Sequence, residues 1–249
     1  MDKNGRCAFL NDKGLCEIII NLGEKSLCQI CRDHPRFRSC FEDRFETGLG
    51  FACEEATRII LSQQEKIQPI LVSSDSCENE LSFVQAQLLK FRNQAIDIIQ
   101  DRGIDINARI AIILKLCNAQ IEIADHKKIL KRFISLERLE KNWGNRLKGL
   151  THPLKTNIGE ENSIYCEHFL ANSLYRFTSE AEDVVYARAV VLACLFAWWI
   201  INSIYQNEKT KKGEFETLCD IVREYSAEVE YSQKNQGKLF AFANSFIKF

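Results

Sequence analysis

The feature that most constrains this chain is the clustering of its cysteines. The sequence contains 11 cysteines in 249 residues, and six of them fall within the first 53 positions. The remaining ones are spread singly over the rest of the chain. A dense group against a dilute background indicates a local function for the group. The clustered residues are Cys7, Cys16, Cys28, Cys31, Cys40 and Cys53.

The segment that carries these cysteines has little apolar material from which to build a core. Residues 1–53 are rich in Gly, Asn, Asp and Cys. Their apolar runs are short, such as the three isoleucines at residues 18–20. No apolar signal segment precedes Cys7, so we expect a cytoplasmic protein, in which thiols stay reduced. A small segment without a core usually needs a cross-link, and reduced cysteines indicate that a metal supplies it.

The spacing of the cysteines favours iron over zinc. Cys28 and Cys31 form a CxxC pair whose thiolates can converge on one ion. Structural zinc sites usually add a second such pair, which is absent from this sequence, whereas iron–sulfur clusters accept ligands from dispersed loops. Cationic side chains directly after the pair would offset the negative charge of an all-thiolate cluster. These are Arg32, His34, Arg36 and Arg38.

We therefore predict an iron–sulfur centre, with a 4Fe-4S cluster as the expected type and zinc as the alternative. The predicted metal ligands are Cys7, Cys16, Cys28, Cys31 and Cys53. Cys40 is interpreted as a spare free thiol. Cys117 and Cys194 lie in apolar helical stretches and are predicted to be packing residues. No role is assigned to Cys77, Cys166 and Cys219. A thioredoxin-like CxxC needs a preceding strand, and residues 23–27 do not predict one.

Beyond the cysteine-rich segment the sequence is helical. It has only 3 prolines and 11 glycines, and its apolar residues recur three or four positions apart. The run 189–201 is apolar on all sides, so we predict a central buried helix; the run is shorter than the roughly 20 residues that cross a membrane. Residues 65–79 are predicted to be a linker. The predicted helices cover 54–61, 81–101, a stretch after Asp105 that includes 110–123, a stripe over 129–147, 162–177, 181–206, 214–232 and 238–247.

The predicted fold is mainly α: a helical bundle with an irregular, cysteine-rich, metal-binding segment at the N-terminus. The predicted division is 1–60 for the cysteine-rich segment and 61–249 for the helical body. With 33 basic and 34 acidic residues, the chain gives no reason to expect a nucleic-acid or membrane partner. A basic stretch at 127–148 is interpreted as a solvated helix face, with an acidic protein or RNA partner as the alternative.

Several short motifs in the first sixty residues follow one known family in order and spacing. In these motifs the chain resembles the flagellin lysine N-methylase (FliB) family, whereas the helical body agrees only in general character. The family carries another cysteine-rich motif further upstream, so we expect this sequence to be a shortened form. The motifs are Cys7-Ala8-Phe9-Leu10, Gly14-Leu15-Cys16-Glu17-Ile18, Leu22-Gly23-Glu24, Leu27-Cys28-Gln29-Ile30-Cys31-Arg32, Pro35-Arg36, and Gly48-Leu49-Gly50-Phe51-Ala52-Cys53-Glu54-Glu55-Ala56 with Arg58.

The resemblance implies transfer of a methyl group from S-adenosylmethionine to lysine side chains of flagellin. The lysine must be neutral to react, although its free pKa is about 10.4, so a base or a desolvating pocket is required. Tyr165, Tyr175 and Tyr186 are candidates to hold a sulfonium or ammonium group by cation–π contact, against the plainer interpretation that they only pack. The sequence contains no glycine-rich nucleotide loop and no CxxxCxxC motif, so the donor pocket and the base are not identified.

Three other functions remain open. The chain is alternatively a non-enzymatic, metal-stabilised protein-binding module, or an inactive fragment of the methylase. A cysteine-rich redox sensor is the third possibility. Methylation of flagellin by the purified chain would separate the enzyme from the binding module.

Overall fold

The computed structural model describes residues 7–72, 80–208 and 214–248. These residues are mainly helical, as the sequence predicts, and include one two-stranded sheet. The helices are α1 (Glu17–Leu22), α2 (Gln29–Asp33), α3 (Glu54–Ser62), α4 (Phe83–Ile99), α5 (Ile106–Leu116), α6 (Ile123–Ile134), α7 (Lys141–Lys148), α8 (Ser163–Phe177), α9 (Val184–Glu208), α10 (Glu214–Tyr225) and α11 (Gln233–Asn244); the strands are β1 (Arg36–Cys40) and β2 (Phe45–Leu49).

The hydrophobic core is built around α9. By length and composition this 25-residue helix could cross a membrane, but 78% of its most apolar window is buried inside the protein. Helices α8, α10 and α11 pack against it. An apolar helix without a polar face is stable in water only when other elements cover it on all sides. α9 is therefore the central buried helix that the sequence predicts.

Capping side chains mark the starts of α4 and α5. The Asp105 carboxylate accepts hydrogen bonds from the backbone N–H groups of Asn107 and Ala108, at 2.8 and 3.3 Å, and starts α5. The Ser82 hydroxyl accepts from the N–H of Gln85 at 3.4 Å and starts α4. Each cap satisfies amide groups that have no partner inside the helix. The predicted helix starts near these residues are confirmed.

The single helical stripe predicted over 129–147 is wrong, because the structure divides it into α6 and α7. The intervening backbone is bound by another part of the protein: the N–H groups of Leu139 and Glu140 donate to the buried Glu228 carboxylate, at 2.8 and 2.6 Å. This tertiary anchor holds the segment out of the helix. Gly144 lies inside α7 and does not end it.

The β1–β2 hairpin is not predicted from the sequence. Its strands are antiparallel and pair Arg36 with Leu49 and Cys40 with Phe45. Only five residues long, each strand is too short for a clear alternation of polar and apolar residues. Arg92 of α4 holds the hairpin to the helical body through two hydrogen bonds to Glu46, at 2.5 and 2.9 Å.

The segment after β2 joins the cysteine-rich region to the body. Phe51 is 1% exposed, and its ring stacks on Phe169 with the centroids 5.4 Å apart. The Leu49 carbonyl accepts a hydrogen bond from the Asn172 side chain at 3.0 Å. α3, which follows directly, packs against α8 and α10. The predicted boundary at residue 60 therefore falls within a helix that belongs to the core of the body.

Gly50 lies where this joint is tightest. A Cβ there would stand 2.8 Å from the Arg176 guanidinium, 3.0 Å from the Tyr231 hydroxyl and 3.2 Å from the carbonyl of Pro35. We expect Gly50→Ala to lower the free energy of unfolding by about 1–3 kcal/mol, because these groups must move apart. Urea denaturation measures the change.

Gly237 supplies the matched control for that prediction. It lies in α11, and a Cβ added there meets nothing within 4 Å. We expect Gly237→Ala to raise the free energy of unfolding by about 0.5–1 kcal/mol, because alanine loses less backbone entropy in a helix. Equal effects of the two substitutions would show that the contacts of Gly50 do not matter.

The linker predicted at 65–79 is described over residues 65–72, and side chains of the body fasten its beginning. The Gln100 amide exchanges two hydrogen bonds with the backbone of Ile67, at 2.7 and 3.1 Å. Arg102 donates to the carbonyl of Gln64 at 2.6 Å, and His168 Nε2 lies 3.0 Å from the carbonyl of Glu65. This extended segment is therefore an ordered wall on the surface of the bundle.

A buried carboxylate organises the side chains behind this wall. Glu167 is 1% exposed and lies between two arginines. Arg102 donates to it from Nε at 3.1 Å and from Nη2 at 2.8 Å, and Arg109 donates from Nη1 at 3.0 Å. Arg109 also donates to the carbonyl of Ile104 at 2.6 Å. These bonds compensate for the removal of the charges from water.

His168 makes the stability of the body depend on pH. Burial lowers its pKa, and burial also lowers the pKa of His126. The unfolded chain therefore binds protons more tightly, and stability is complete above about pH 6.5 and falls as the pH drops below it. We expect the free energy of unfolding to decrease between pH 7.5 and 5.5. Below pH 6.5 each of the two histidines should contribute a loss of up to about 1.4 kcal/mol for every pH unit.

Urea denaturation of the wild type and of His168→Gln at several pH values tests this expectation. The free energy of unfolding of His168→Gln should fall less on acidification than that of the wild type, because only His126 still contributes. An unchanged pH dependence in the variant would show that His168 is not responsible.

Candidate metal centre

The first two predicted ligands lie at the base of one closed turn. The backbone N–H of Glu17 donates to the carbonyl of Phe9 at 2.8 Å, and Leu10 pairs with Cys16 in an antiparallel bridge. The Asn11 side chain accepts from the N–H of Leu15 at 3.0 Å and donates to Glu17 at 2.9 Å. These bonds close the loop over 7–16. The motif thus folds so that its two cysteines flank the same turn.

Three of the predicted ligands share one backbone position. Cys16, Cys28 and Cys53 each directly precede a helix, namely α1, α2 and α3, and none of these side chains makes a capping hydrogen bond. A helix N-terminus has backbone N–H groups without partners inside the helix, and these can donate hydrogen bonds to a metal-bound sulfur. In the sequence this position is visible as a cysteine followed directly by a helix start, which was not used to select the predicted ligands.

The CxxC pair is the best-defined part of the site. The sulfur atoms of Cys28 and Cys31 are 3.5 Å apart, and both residues are exposed. Two thiolates on one tetrahedral zinc ion, at about 2.3 Å from it, lie about 3.8 Å apart. Hydrogen bonds from the backbone and thiol of Cys31 lower the pKa of Cys28. The distance between the two sulfur atoms is therefore compatible with a shared ion, and Cys28 is the first of the two thiols to ionise.

The other cysteines are not brought together to the same degree. The pKa of Cys31 is raised first by the hydrogen bond and charge of Cys28 and further by the charges of Cys7 and Cys16, so these two thiols are near. Among residues 7–72, 80–208 and 214–248, however, no three His, Cys, Asp or Glu side chains are close enough to hold a metal ion. The structure thus brings the sulfur atoms of Cys28 and Cys31 together, with Cys7 and Cys16 close enough for their charges to act on Cys31. The set of five metal ligands stays a prediction.

The cationic residues after the pair have other contacts. Arg38 donates to the Asp33 carboxylate at 2.8 and 3.2 Å. Arg36 donates to the carbonyl of Arg32 at 2.8 Å, and the His34 ring lies 6.1 Å from that of Tyr231. These contacts do not test the predicted role of the cationic residues beside a cluster, which stays a prediction.

The remaining described cysteines divide into one exposed and four buried residues. Cys117 and Cys194 are confirmed as packing residues, and burial raises the pKa of Cys117 to about 12. Cys166 and Cys219 are buried in the same way. Cys40 is exposed at the end of β1. Cys77 lies outside the described residues.

The three tyrosines considered as cation-holding residues all contact the protein itself. Tyr165 packs beside Phe215 with ring centroids 5.6 Å apart, and Tyr186 meets Phe240 edge-on. The Tyr175 ring carries the guanidinium of Arg92 at 5.0 Å. Tyr175 also lines an open cavity of about 590 Å³ beside α4.

The basic stretch at 127–148 stabilises the body in part. Arg146 pairs with Glu208 at 3.0 Å and with Glu224 at 2.8 Å, and its side chain is 13% exposed. Arg132 lies 5.0 Å from the centroid of the Phe242 ring. These two arginines are therefore engaged by the protein itself.

One curated protein, the "Flagellar biosynthetic protein FliU" of Salmonella muenchen, is 31% identical to this chain over 61 residues. The match covers 24% of this chain and 36% of the Salmonella protein, so the chain spans about a third of the length of the curated relative it matches. No family model matches the sequence. No solved structure matches it either.

Proposed function

We propose that this chain is a protein lysine N-methyltransferase, or a portion of one, that transfers a methyl group from S-adenosylmethionine to flagellin. Its N-terminal cysteines would hold an iron–sulfur cluster. The similarity to a protein named for flagellar biosynthesis supports a flagellar context. The resemblance of the cysteine-bearing motifs to the flagellin lysine N-methylases supports the activity.

The observation that carries the proposal is the arrangement of thiols in this segment. Cys28 and Cys31 have their sulfur atoms 3.5 Å apart, and Cys16 and Cys28 precede helix N-termini. Thiolates in such positions suit a bound metal or cluster. No residue of α1 or α2 is buried, so a bound group would cross-link a segment that has no core.

The reaction makes defined demands on the protein. The neutral lysine nitrogen attacks the methyl carbon of the sulfonium, the carbon–sulfur bond breaks, and the electron pair leaves with the sulfur as a thioether. The amine then gives up a proton. Alignment of the two reactants supplies most of the rate in such an in-line displacement. The protein must also bind the lysine where it can lose its proton.

Zinc is the alternative metal, and one distance favours it. The 3.5 Å between the sulfur atoms of Cys28 and Cys31 is close to the separation of about 3.8 Å of two thiolates on a single zinc ion. The protein purified without oxygen would separate the two metals. Iron and acid-labile sulfide in equal amounts support the cluster, whereas zinc without sulfide supports the single ion.

The activity itself is tested with purified chain, flagellin and isotopically labelled S-adenosylmethionine. We expect label on flagellin lysines, located by mass spectrometry, and none on flagellin whose lysines were acetylated beforehand. Failure to label unmodified flagellin, with the metal present, would refute the methyltransferase.

A metal-stabilised binding module is the second candidate, and one observation favours it. Seven large apolar side chains between residues 9 and 30 are at least 37% exposed. Such a surface is typical of a site for another protein. Stable association with flagellin without methyl transfer would support this candidate. The residues are Phe9, Leu10, Leu15, Ile19, Ile20, Leu22 and Ile30.

A further inference from the structure

The open cavity beside α4 is separate from the cysteines. Its volume of about 590 Å³ lies within the usual range for small-ligand sites, roughly 300–1,000 Å³. One wall is the extended segment at residues 66–69, and the opposite side is α4 with the end of α8. The cavity therefore lies between an ordered loop and two helices.

Side chains of the helical body hold the loop wall at a fixed distance from α4. Gln100 is 6% exposed and binds both the N–H and the carbonyl of Ile67. Arg102 donates a hydrogen bond to the carbonyl of Gln64, and His168 Nε2 lies 3.0 Å from the carbonyl of Glu65. A wall held by these bonds keeps the cavity open without a ligand.

The lining has the chemistry of a cation site. Asn93, Asp97 and Asp101 follow one another at intervals of four along α4 and just past its end, which brings their side chains to one face. The two carboxylates outnumber the single cation in the lining, Lys66. Tyr175 adds an aromatic ring.

Tyr175 and Asp97 line the same cavity. Tyr175 is half-buried, and burial raises its pKa, while Arg92 lowers the pKa and Glu46 and Asp97 raise it further. Arg92, on the Tyr175 ring, is neutralised by Glu46 at 2.5 Å and so leaves the net charge of the cavity negative. A carboxylate next to an aromatic ring attracts alkylammonium groups by ion pairing and cation–π contact together.

We propose that this cavity binds a cationic alkyl chain, with its ammonium group between Asp97 and Tyr175. The identification of that chain as a lysine side chain rests on the proposed function; the preference for a cation rests on the lining alone. A neutral or anionic ligand of the same length would lose the attraction to both carboxylates.

The experiment titrates the ¹⁵N-labelled full chain with a lysine whose backbone groups are capped, and follows the amide shifts of α4 and residues 66–69. The same lysine with an acetylated side chain is the neutral probe. We expect the neutral probe to bind about tenfold more weakly or not at all. Asp97→Asn should weaken binding of the charged probe about tenfold, and Lys66→Gln should strengthen it.

The control variant is Glu160→Gln, which changes an exposed carboxylate outside the cavity lining. It should leave binding unchanged. Equal affinity for the two probes, or full affinity in a folded Asp97→Asn variant, would overturn the proposal. If flagellin is methylated but the cavity shows no charge preference, only the proposed cation site is refuted. If the cavity binds the charged probe selectively but no methyl group is transferred, only the methyltransferase is refuted.

Discussion

Replacing Glu167 by alanine is expected to lower the free energy of unfolding by about 3–5 kcal/mol. The substitution leaves Arg109, which is 5% exposed, without its carboxylate in the interior. It also removes three hydrogen bonds from Arg102, whose Nη1 fastens the carbonyl of Gln64. A buried charge without a partner costs far more than the pair contributes. Urea or thermal denaturation measures the loss.

Two companion variants make the result specific. Glu160→Ala removes an exposed glutamate seven positions earlier and should change stability by less than about 0.5 kcal/mol. Glu167→Gln keeps hydrogen-bond acceptors and should lose less than the alanine variant. A loss from Glu167→Ala below about 1 kcal/mol would mean that water reaches the two arginines.

The second large effect is expected at the CxxC pair. On the proposed function, replacing Cys28 and Cys31 together by serine should reduce the bound metal from stoichiometric to none, because serine oxygen is a poor ligand for iron or zinc beside thiolates. Residues 7–33 should then become sensitive to proteolysis, since the segment has no core to hold it. Metal analysis and limited trypsin digestion give the two measurements.

Cys40→Ser is the matched control for the metal prediction. Cys40 is also exposed and in the same segment, but it lies at the end of β1 and outside the predicted ligand set. Its replacement should leave the metal content unchanged. Full metal content in the double variant at Cys28 and Cys31 would exclude these residues as ligands.

The helical body could be predicted because its signals are local. The uninterrupted apolar run in α9 identified the central helix, and Asp105 identified the start of α5. The break at 135–140 could not be predicted, because it depends on Glu228, a residue about ninety positions away in the chain. Sequence periodicity carries no information about such a partner.

The cysteine-rich segment shows the same limit. Its composition indicated a site, and the CxxC motif identified the pair that the structure brings to 3.5 Å. The hairpin at 36–49 was missed because its strands are only five residues long and because Arg92, which binds Glu46, lies on a helix far along the chain. The cavity beside α4 was missed because the loop that forms it has the composition of a linker.

The division of the thiols also determines how the chain responds to alkylating reagents. Exposed Cys40, and Cys28 when no metal is bound, should react with a maleimide or iodoacetamide in the native state, whereas Cys166, Cys194 and Cys219 are enclosed by the bundle. Modification of these enclosed thiols therefore requires the bundle to open, and its rate reports how often it does. A fluorescent label added briefly would mark the cysteine-rich segment and leave the interior untouched.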